Sequence, residues 1–291
     1  MLPFTRILQY GNTIPDSGKF NGNSTKLIST IPYGQTWCCA YDNNDTIYIY
    51  GGTSNGSNTG VVNSLYTFSI STQVVTLVRS NFSSAPVANS GMCFYNNKLY
   101  IFGGTSSSDA FSYDVVSQTK TTLQSVPTAG PTSAILYNNK IIVITNNISY
   151  EYDTTTSSYI TQYTIPFNVN TLSPSTAIMG DFLYSLSYSP ARPNIDIYKT
   201  DLNSTHTNEN ILTTTIPFSQ YNYSVLVNIM NGLYIFDSGY ILQYINGGLT
   251  QMNISNASNL ILPGYCVVKN TLYLFGGYRG SSRLNEIWLL T

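Results

Sequence analysis

Apolar and polar positions alternate along this chain in short bursts, and the same burst keeps returning. Asn96-Asn97-Lys98-Leu99-Tyr100-Ile101-Phe102-Gly103-Gly104 recurs as Asn270-Thr271-Leu272-Tyr273-Leu274-Phe275-Gly276-Gly277 and, more loosely, as Asp45-Thr46-Ile47-Tyr48-Ile49-Tyr50-Gly51-Gly52. Each copy predicts a polar turn, a short strand of β-branched and aromatic residues, and a Gly pair that breaks the strand. Self-similarity at a period of roughly 40 to 50 residues belongs to solenoids and propellers.

Aligned on this phrase, the chain divides into six units. In the first, Thr36 to Tyr41 leads through Gly51-Gly52 to Leu65 to Phe68 and then Gln73 to Leu77; the second repeats that order with Gly91 to Tyr95, Gly103-Gly104, Phe111 to Asp114 and Lys120 to Leu123. Later units keep Lys140 to Ile144 and Tyr150 to Asp153, Phe182 to Leu186 and Ile195 to Tyr198, and Gly232 to Phe236 and Ile241 to Tyr244. The sixth runs from Gly264 through Gly276-Gly277 to Leu290 and stops one strand short. Ser24 to Ile28, lying before Ile31-Pro32, resembles the last strand of the second unit before Val126-Pro127 and supplies the missing strand.

The expectation is an all-β, six-bladed propeller of four-stranded antiparallel blades, its last blade closed by strands from both ends of the chain. Closure of this kind removes the exposed edges of an open array. Residues 1–22 fall outside the repeat, as an arm or as an extra edge strand through Arg6 to Tyr10. Residues 23–291 form a single propeller, with closing strand 23–29 and blades near 31–79, 86–124, 131–163, 174–214, 221–255 and 260–291.

These phrases resemble the kelch motif, a strand ending in Gly-Gly followed by an aromatic residue and, further on, a Trp. Gly-Gly at 51, 103 and 276 carries the resemblance, with Phe68, Tyr113 and Trp288 matching the following aromatic; it covers nearly the whole chain from about Ser24. The family's Trp is absent, and its place holds Val75, Lys120 and Tyr159 in the first three units. The resemblance implies a kelch-type propeller, a family that includes copper oxidases and iron-dependent specifier proteins.

Charged residues make up 9% of the chain and the formal net charge is -1, which gives no electrostatic footprint for a nucleic-acid backbone or an anionic membrane. No stretch approaches the ~18 apolar residues of a membrane span, and the first residues lack the apolar core of a signal peptide. The expectation is therefore a soluble chain with no nucleic-acid partner and no membrane insertion. Polarity comes from Asn, Ser, Thr and 25 Tyr. That mix is associated with extracellular and virion surfaces, while a cytoplasmic location stays open. Sequons such as Asn23, Asn44 and Asn203 are as frequent as chance gives in so Asn-rich a chain and do not settle the compartment.

Catalytic chemistry has little to draw on. His206 is the single histidine, in a polar connection, so a copper centre built from two is impossible within the chain. Cys39, Cys93 and Cys266 align at one position of the first strand in consecutive units, open to three readings: buried free thiols, a disulfide, or a metal site without the usual Cys-x-x-Cys spacing. Glu151, Glu209 and Glu286 fall in different units, and Asp45, Asp114, Asp153, Asp181 and Asp237 sit at turns or strand ends. Turn capping explains them, and sequence spacing does not show an acid pair across the channel. No metal, cofactor or catalytic residue is expected.

Loop lengths choose the binding face. With the strands of each unit named a to d in chain order, the a–b turns are minimal, as in Asn96-Asn97 and Asn138-Asn139. The b–c and d–a connections are long. Recognition belongs to loops on a rigid scaffold. That face is expected to display Tyr33, Trp37, Arg192, Tyr221, Tyr223, Tyr278, Arg279 and Arg283, side chains suited to sugar stacking or protein contact, or simply to packing loops onto blades. The leading reading is a non-enzymatic module that binds a protein or a glycan. The alternatives are a carbohydrate-active enzyme and a structural subunit of a virion or surface assembly.

Overall fold

Asn pairs set where the strands reverse. Asn96 and Asn97 have φ of 48° and 58°, and Asn138 and Asn139 have 46° and 64°. Two consecutive positive φ values make a turn whose twist matches the flanking strands, so each pair closes a two-residue hairpin. The computed structural model describes residues 20–32, 34–53, 62–82, 88–166, 175–188, 194–203, 205–215, 224–237, 240–253, 260, 263–280 and 282–291. Residues 1–19, including the expected edge strand through Arg6 to Tyr10, lie outside the described residues.

The strands assemble as six four-stranded antiparallel sheets. After β1 (Ser24–Thr30), blade one holds β2 (Gln35–Tyr41), β3 (Thr46–Thr53), β4 (Ser64–Ser69) and β5 (Val75–Ser80). Blade two holds β6 (Gly91–Tyr95), β7 (Lys98–Phe102), β8 (Ala110–Asp114) and β9 (Thr119–Thr122). Blade three holds β10 (Thr132–Tyr137), β11 (Lys140–Thr145), β12 (Ile148–Asp153) and β13 (Ser158–Thr164). Blade four holds β14 (Thr176–Met179), β15 (Phe182–Tyr188), β16 (Asn194–Asp201) and β17 (Asn208–Thr215). Blade five holds β18 (Val225–Ile229), β19 (Gly232–Asp237), β20 (Tyr240–Ile245) and β21 (Gly248–Asn253). Blade six holds β22 (Gly264–Val268), β23 (Thr271–Phe275) and β26 (Glu286–Leu290), with a two-stranded insert, β24 (Tyr278–Arg279) and β25 (Ser282–Arg283), between the last two.

The order β1-β26-β23-β22 places the N-terminal strand on the outer edge of blade six, so the ring is closed by both ends of the chain. Ser24 pairs with Leu290 and Lys26 with Trp288. Ahead of β1, Asn21 N donates to Thr291 O at 3.1 Å, and Phe20 packs edge-on to Tyr234 at 4.8 Å in the seam between blades five and six. In blade one the last strand begins at Val75 rather than Gln73, because Gln73 has φ 55° and belongs to the turn.

Apolar side chains are buried between blades, with one cluster at each of the six seams. The second residue of each second strand carries this packing: Ile47, Leu99, Ile141, Leu183, Leu233 and Leu272 are all at most 1% exposed. Because strand side chains alternate, the next residue faces the following blade, and it is Tyr in every blade except the third, which has Ile142. On the outer strands of blades two and three, Lys120 extends its ammonium 4.1 Å from the Phe111 ring centre, and Tyr159 packs edge-on to Tyr150 and Tyr152.

The Gly pair joins one blade to the next. Gly104 N donates to Gly130 O at 3.1 Å, and Gly277 N donates to Gly34 O at 2.9 Å, in each case reaching the segment that leads into the following blade. Gly103 and Gly276 have φ of 54° and 64°, and a Cβ on either would collide with that segment, at Thr132 and at Gly34 respectively. Only glycine meets both demands.

Candidate functional site

The insert β24–β25 rises on the face that carries the b–c and d–a connections. Tyr278 pairs with Arg283, and Arg279 with Ser282. Directly opposed residues share a face of a hairpin, so Tyr278 and Arg283 point one way and Arg279 the other. Arg279 is thereby turned into the blade, where Nη2 lies 3.5 Å from Glu286 Oε2 and the guanidinium carbon 5.9 Å from the centre of the Trp288 ring. Arg283 makes no ion pair with any described residue.

Glu286 gathers three donors. Lys26 Nζ is 2.6 Å from Oε1, and Trp288 Nε1 donates to Oε2 at 2.9 Å alongside Arg279. Burial by itself raises the Glu286 pKa, but the hydrogen bonds from Lys26 and Trp288 and the charges of Lys26 and Arg279 outweigh it, and the carboxyl is held below its ordinary value. This cluster ties the closing strand to β26 and to the insert. Arg279, expected as a ligand contact, is thus engaged in holding the blade together.

Trp37 needs a correction. Expected on the exposed face, it is 4% exposed and belongs to the apolar cluster between blades six and one. Its ring lies against Gly34 and Gly276, which leave room by lacking side chains, and stands edge-on to Tyr66 at 6.1 Å. Tyr33, Arg192, Tyr221 and Tyr223 lie outside the described residues. Of the expected contact residues that are described, Tyr278 and Arg283 are the two brought together on one surface.

The inner strands β2, β6, β10, β14, β18 and β22 enclose an axial cavity of about 150 Å³. Its walls are neutral, with hydroxyls and an amide from Ser90, Ser133, Thr176 and Asn228. Ser133 and Thr176 hydroxyl oxygens sit 3.2 Å apart, Ser175 Oγ accepts from Leu226 N at 2.6 Å, and Asn228 Nδ2 donates to Ile178 O at 2.9 Å. These bonds stitch blades three, four and five together around the channel. No Asp, Glu, His, Lys or Arg is among the described residues lining the cavity.

The described carboxylates are occupied elsewhere. Asp45 accepts from Ser69 and Ser71, Asp114 from the amides of Val116 and Ser117, and Asp153 from Thr155; all three are held below the ordinary carboxylate pKa, chiefly by those hydrogen bonds. Glu151 is buried against Lys140 at 2.8 Å. His206 stacks on Tyr163 with ring centres 4.0 Å apart. Among the described residues no group of three His, Cys, Asp or Glu side chains is placed to hold a metal ion.

Cysteine equivalence also changes. In the strand pairing, the position aligned with Cys93 is Ala40 in blade one, since Ala40 opposes Tyr48 as Cys93 opposes Tyr100 and Cys266 opposes Tyr273. The first connection of blade one, Asn43 to Asp45 between the bonded Asp42 and Thr46, is longer than the two-residue turns elsewhere and shifts the alignment by one. A one-residue shift flips the face. Cys39 accordingly points back toward blade six. All four cysteines are free thiols, and burial pushes Cys38 and Cys266 up to about 12.

No protein-family model and no curated protein matches this chain. A solved structure of YjhT superposes with a TM-score of 0.71 over 91% of this chain and 97% of that one, at 13% sequence identity. At that identity the likeness concerns the fold. Together with six blades closed by strands from both termini, it makes this chain a six-bladed β-propeller, an architecture that serves as a binding or an enzymatic module.

Proposed function

We propose that this chain is a divergent kelch-type recognition module that binds a glycan or a protein surface through the face bearing the b–c and d–a connections. The kelch reading rests on the three Gly pairs at strand ends and on aromatic residues at Phe68, Tyr113 and Trp288. The binding reading is carried by Tyr278 and Arg283, set side by side on the raised hairpin, with the guanidinium unpaired among the described residues. An aromatic ring beside a free guanidinium offers stacking area and directional donors together. A glycosidase would instead need two carboxylates converging within about 5 to 9.5 Å, and the described acids are engaged in turns and ion pairs.

The test is a printed array of defined oligosaccharides, with cross-linking capture for protein partners, comparing the unaltered chain with a Tyr278→Ala/Arg283→Ala variant. Binding that disappears in the variant at unchanged thermal stability supports the reading. Release of reducing sugar from an array ligand would replace it with the enzymatic one.

A subunit role in a larger assembly has one observation in its favour. Ile28 is 98% exposed on β1, and Leu77 is 53% exposed on β5 of the adjacent blade. A contiguous patch of such side chains would mark a contact surface. Mass photometry separates a monomeric receptor from such a subunit.

A further inference from the structure

We infer that Cys39 and Cys266, free thiols in this structure, are placed to form a disulfide on oxidation that covalently closes the ring between blades six and one. The repeat places two side chains in every seam at the level of the inner strands, one facing forward from its blade and one facing back from the next. Registers within the blades give the equivalent positions, Cys93 with Ala134, Ile135 with Thr176 and Val227 with Tyr265, and the first and last of these pairs share a seam cluster. At the closing seam the same two positions are Cys266, facing forward, and Cys39, facing back. Cysteine stands on both sides at this seam, which the chain crosses through β1, a strand held in blade six by its pairing with β26.

The close approach of β2 and β22 supports the pairing. Gly264 precedes Cys266 by two residues and so shares its face of β22. A Cβ there would clash with Trp37 and come within 3.1 Å of Cys39 Sγ, so β2 and β22 approach closely at this level. One alternation further along each strand, Trp37 gives way to Cys39 and Gly264 to Cys266. Both thiols belong to the same apolar cluster, and each borders the axial cavity. Cys38 points to the other side, where its thiol donates to Tyr50 O at 3.2 Å, and Cys93 is buried between blades two and three.

The chemistry is ordinary thiol–disulfide exchange with a low-molecular-weight disulfide such as oxidised glutathione. The Cys39 thiolate attacks one glutathione sulfur, forming a mixed disulfide and releasing the first glutathione. The Cys266 thiolate then attacks the Cys39 sulfur and releases the second. Two electrons and two protons pass from the protein thiols to the glutathione pair. Burial raises both thiols in the closed ring, so exchange belongs to folding, before the seam shuts, and the finished bond is shielded from reductant.

Refolding the full chain in a glutathione redox buffer tests this. Non-reducing proteolysis and mass spectrometry should yield one cross-linked peptide pair, Cys39 with Cys266, leaving Cys38 and Cys93 alkylatable after denaturation. The oxidised protein should melt roughly 5–10 °C above the reduced one, and Cys39→Ser or Cys266→Ser should abolish both the cross-link and the increment. Four free thiols after oxidative refolding, or a cross-link through Cys38 or Cys93, would overturn the inference. Because the peptide map is read on the unaltered chain, poor folding of a serine variant does not affect it.

Discussion

Lys26 Nζ lies 2.6 Å from Glu286 Oε1, linking residues 260 positions apart across the strands that close the ring. Lys26 is half exposed, so the ion pair by itself adds little. Glu286 is the larger contributor because Arg279 and Trp288 also converge on it. Its pKa is depressed in the folded protein, so its contribution is fully present above the unfolded value of about 4.3 and is lost as pH falls through the folded value. Glu286→Gln, which keeps an acceptor for Trp288, should therefore lower the melting temperature at pH 7 by roughly 2–6 °C. The gap between the two proteins should narrow as pH falls below the unfolded value and through the folded one. A gap independent of pH would show that the charge is not what matters.

Removing residues 1–30 takes away β1, Leu27 and Phe20 together. Leu27 is buried in the seam between blades six and one and Phe20 in that between five and six, so both seams lose apolar contact. Each such side chain is worth about 1.5–3 kcal/mol of burial. The truncated protein should unfold in a single calorimetric transition more than about 10 °C lower. An unchanged melting curve would contradict closure by the N-terminal strand.

Gly276 and Gly180 separate backbone strain from crowding. Their φ values, 64° and 61°, are nearly the same, yet a Cβ on Gly180 meets nothing within 4 Å while one on Gly276 strikes the segment leading into blade one. Gly180→Ala should cost about 1 kcal/mol, the left-handed penalty alone. Gly276→Ala should cost about 3 kcal/mol, since overpacking is added. Denaturant titration of both variants reads the difference, and equal losses would mean the Gly pair is conserved in the repeat by turn geometry and not by blade contact.

The blade count, the strand order and closure by Ser24 to Thr30 were legible in the sequence because each strand repeats an apolar period of two and ends in a turn with its own chemistry. Cys39 was misaligned because three residues, Asn43 to Asp45, stand between the bonded Asp42 and Thr46 in place of a two-residue turn, and a strand pattern shifted by one still alternates. Trp37 shows a different limit. Its position at the start of an inner strand places it near the loop face, but whether the ring turns outward or into the seam depends on Gly34 and Gly276, distant in sequence, leaving room for it. Arg279 and Arg283 looked interchangeable for a similar reason: only the pairing of Tyr278 with Arg283 reveals that they point to opposite sides.

That difference between the two arginines yields the sharpest functional prediction. Arg279 is held by Glu286 and lies over Trp288, so Arg279→Ala should lower the melting temperature by roughly 2–4 °C. Arg283 has no such partner among the described residues and shares its face of the hairpin with Tyr278. Arg283→Ala should leave the melting temperature within about 1 °C while weakening ligand binding at least tenfold, as loss of a central arginine contact does. Changes at Asn97 or Asn139, on the opposite face, should leave binding unaltered. Because the chain carries a formal net charge of -1, long-range attraction contributes little, and affinity should fall only slightly between low and physiological salt. Calorimetry and binding isotherms on the same protein batches separate the two effects. If Arg283→Ala destabilises the fold and spares binding while Asn97→Ala abolishes it, the binding face is the one formed by the short turns.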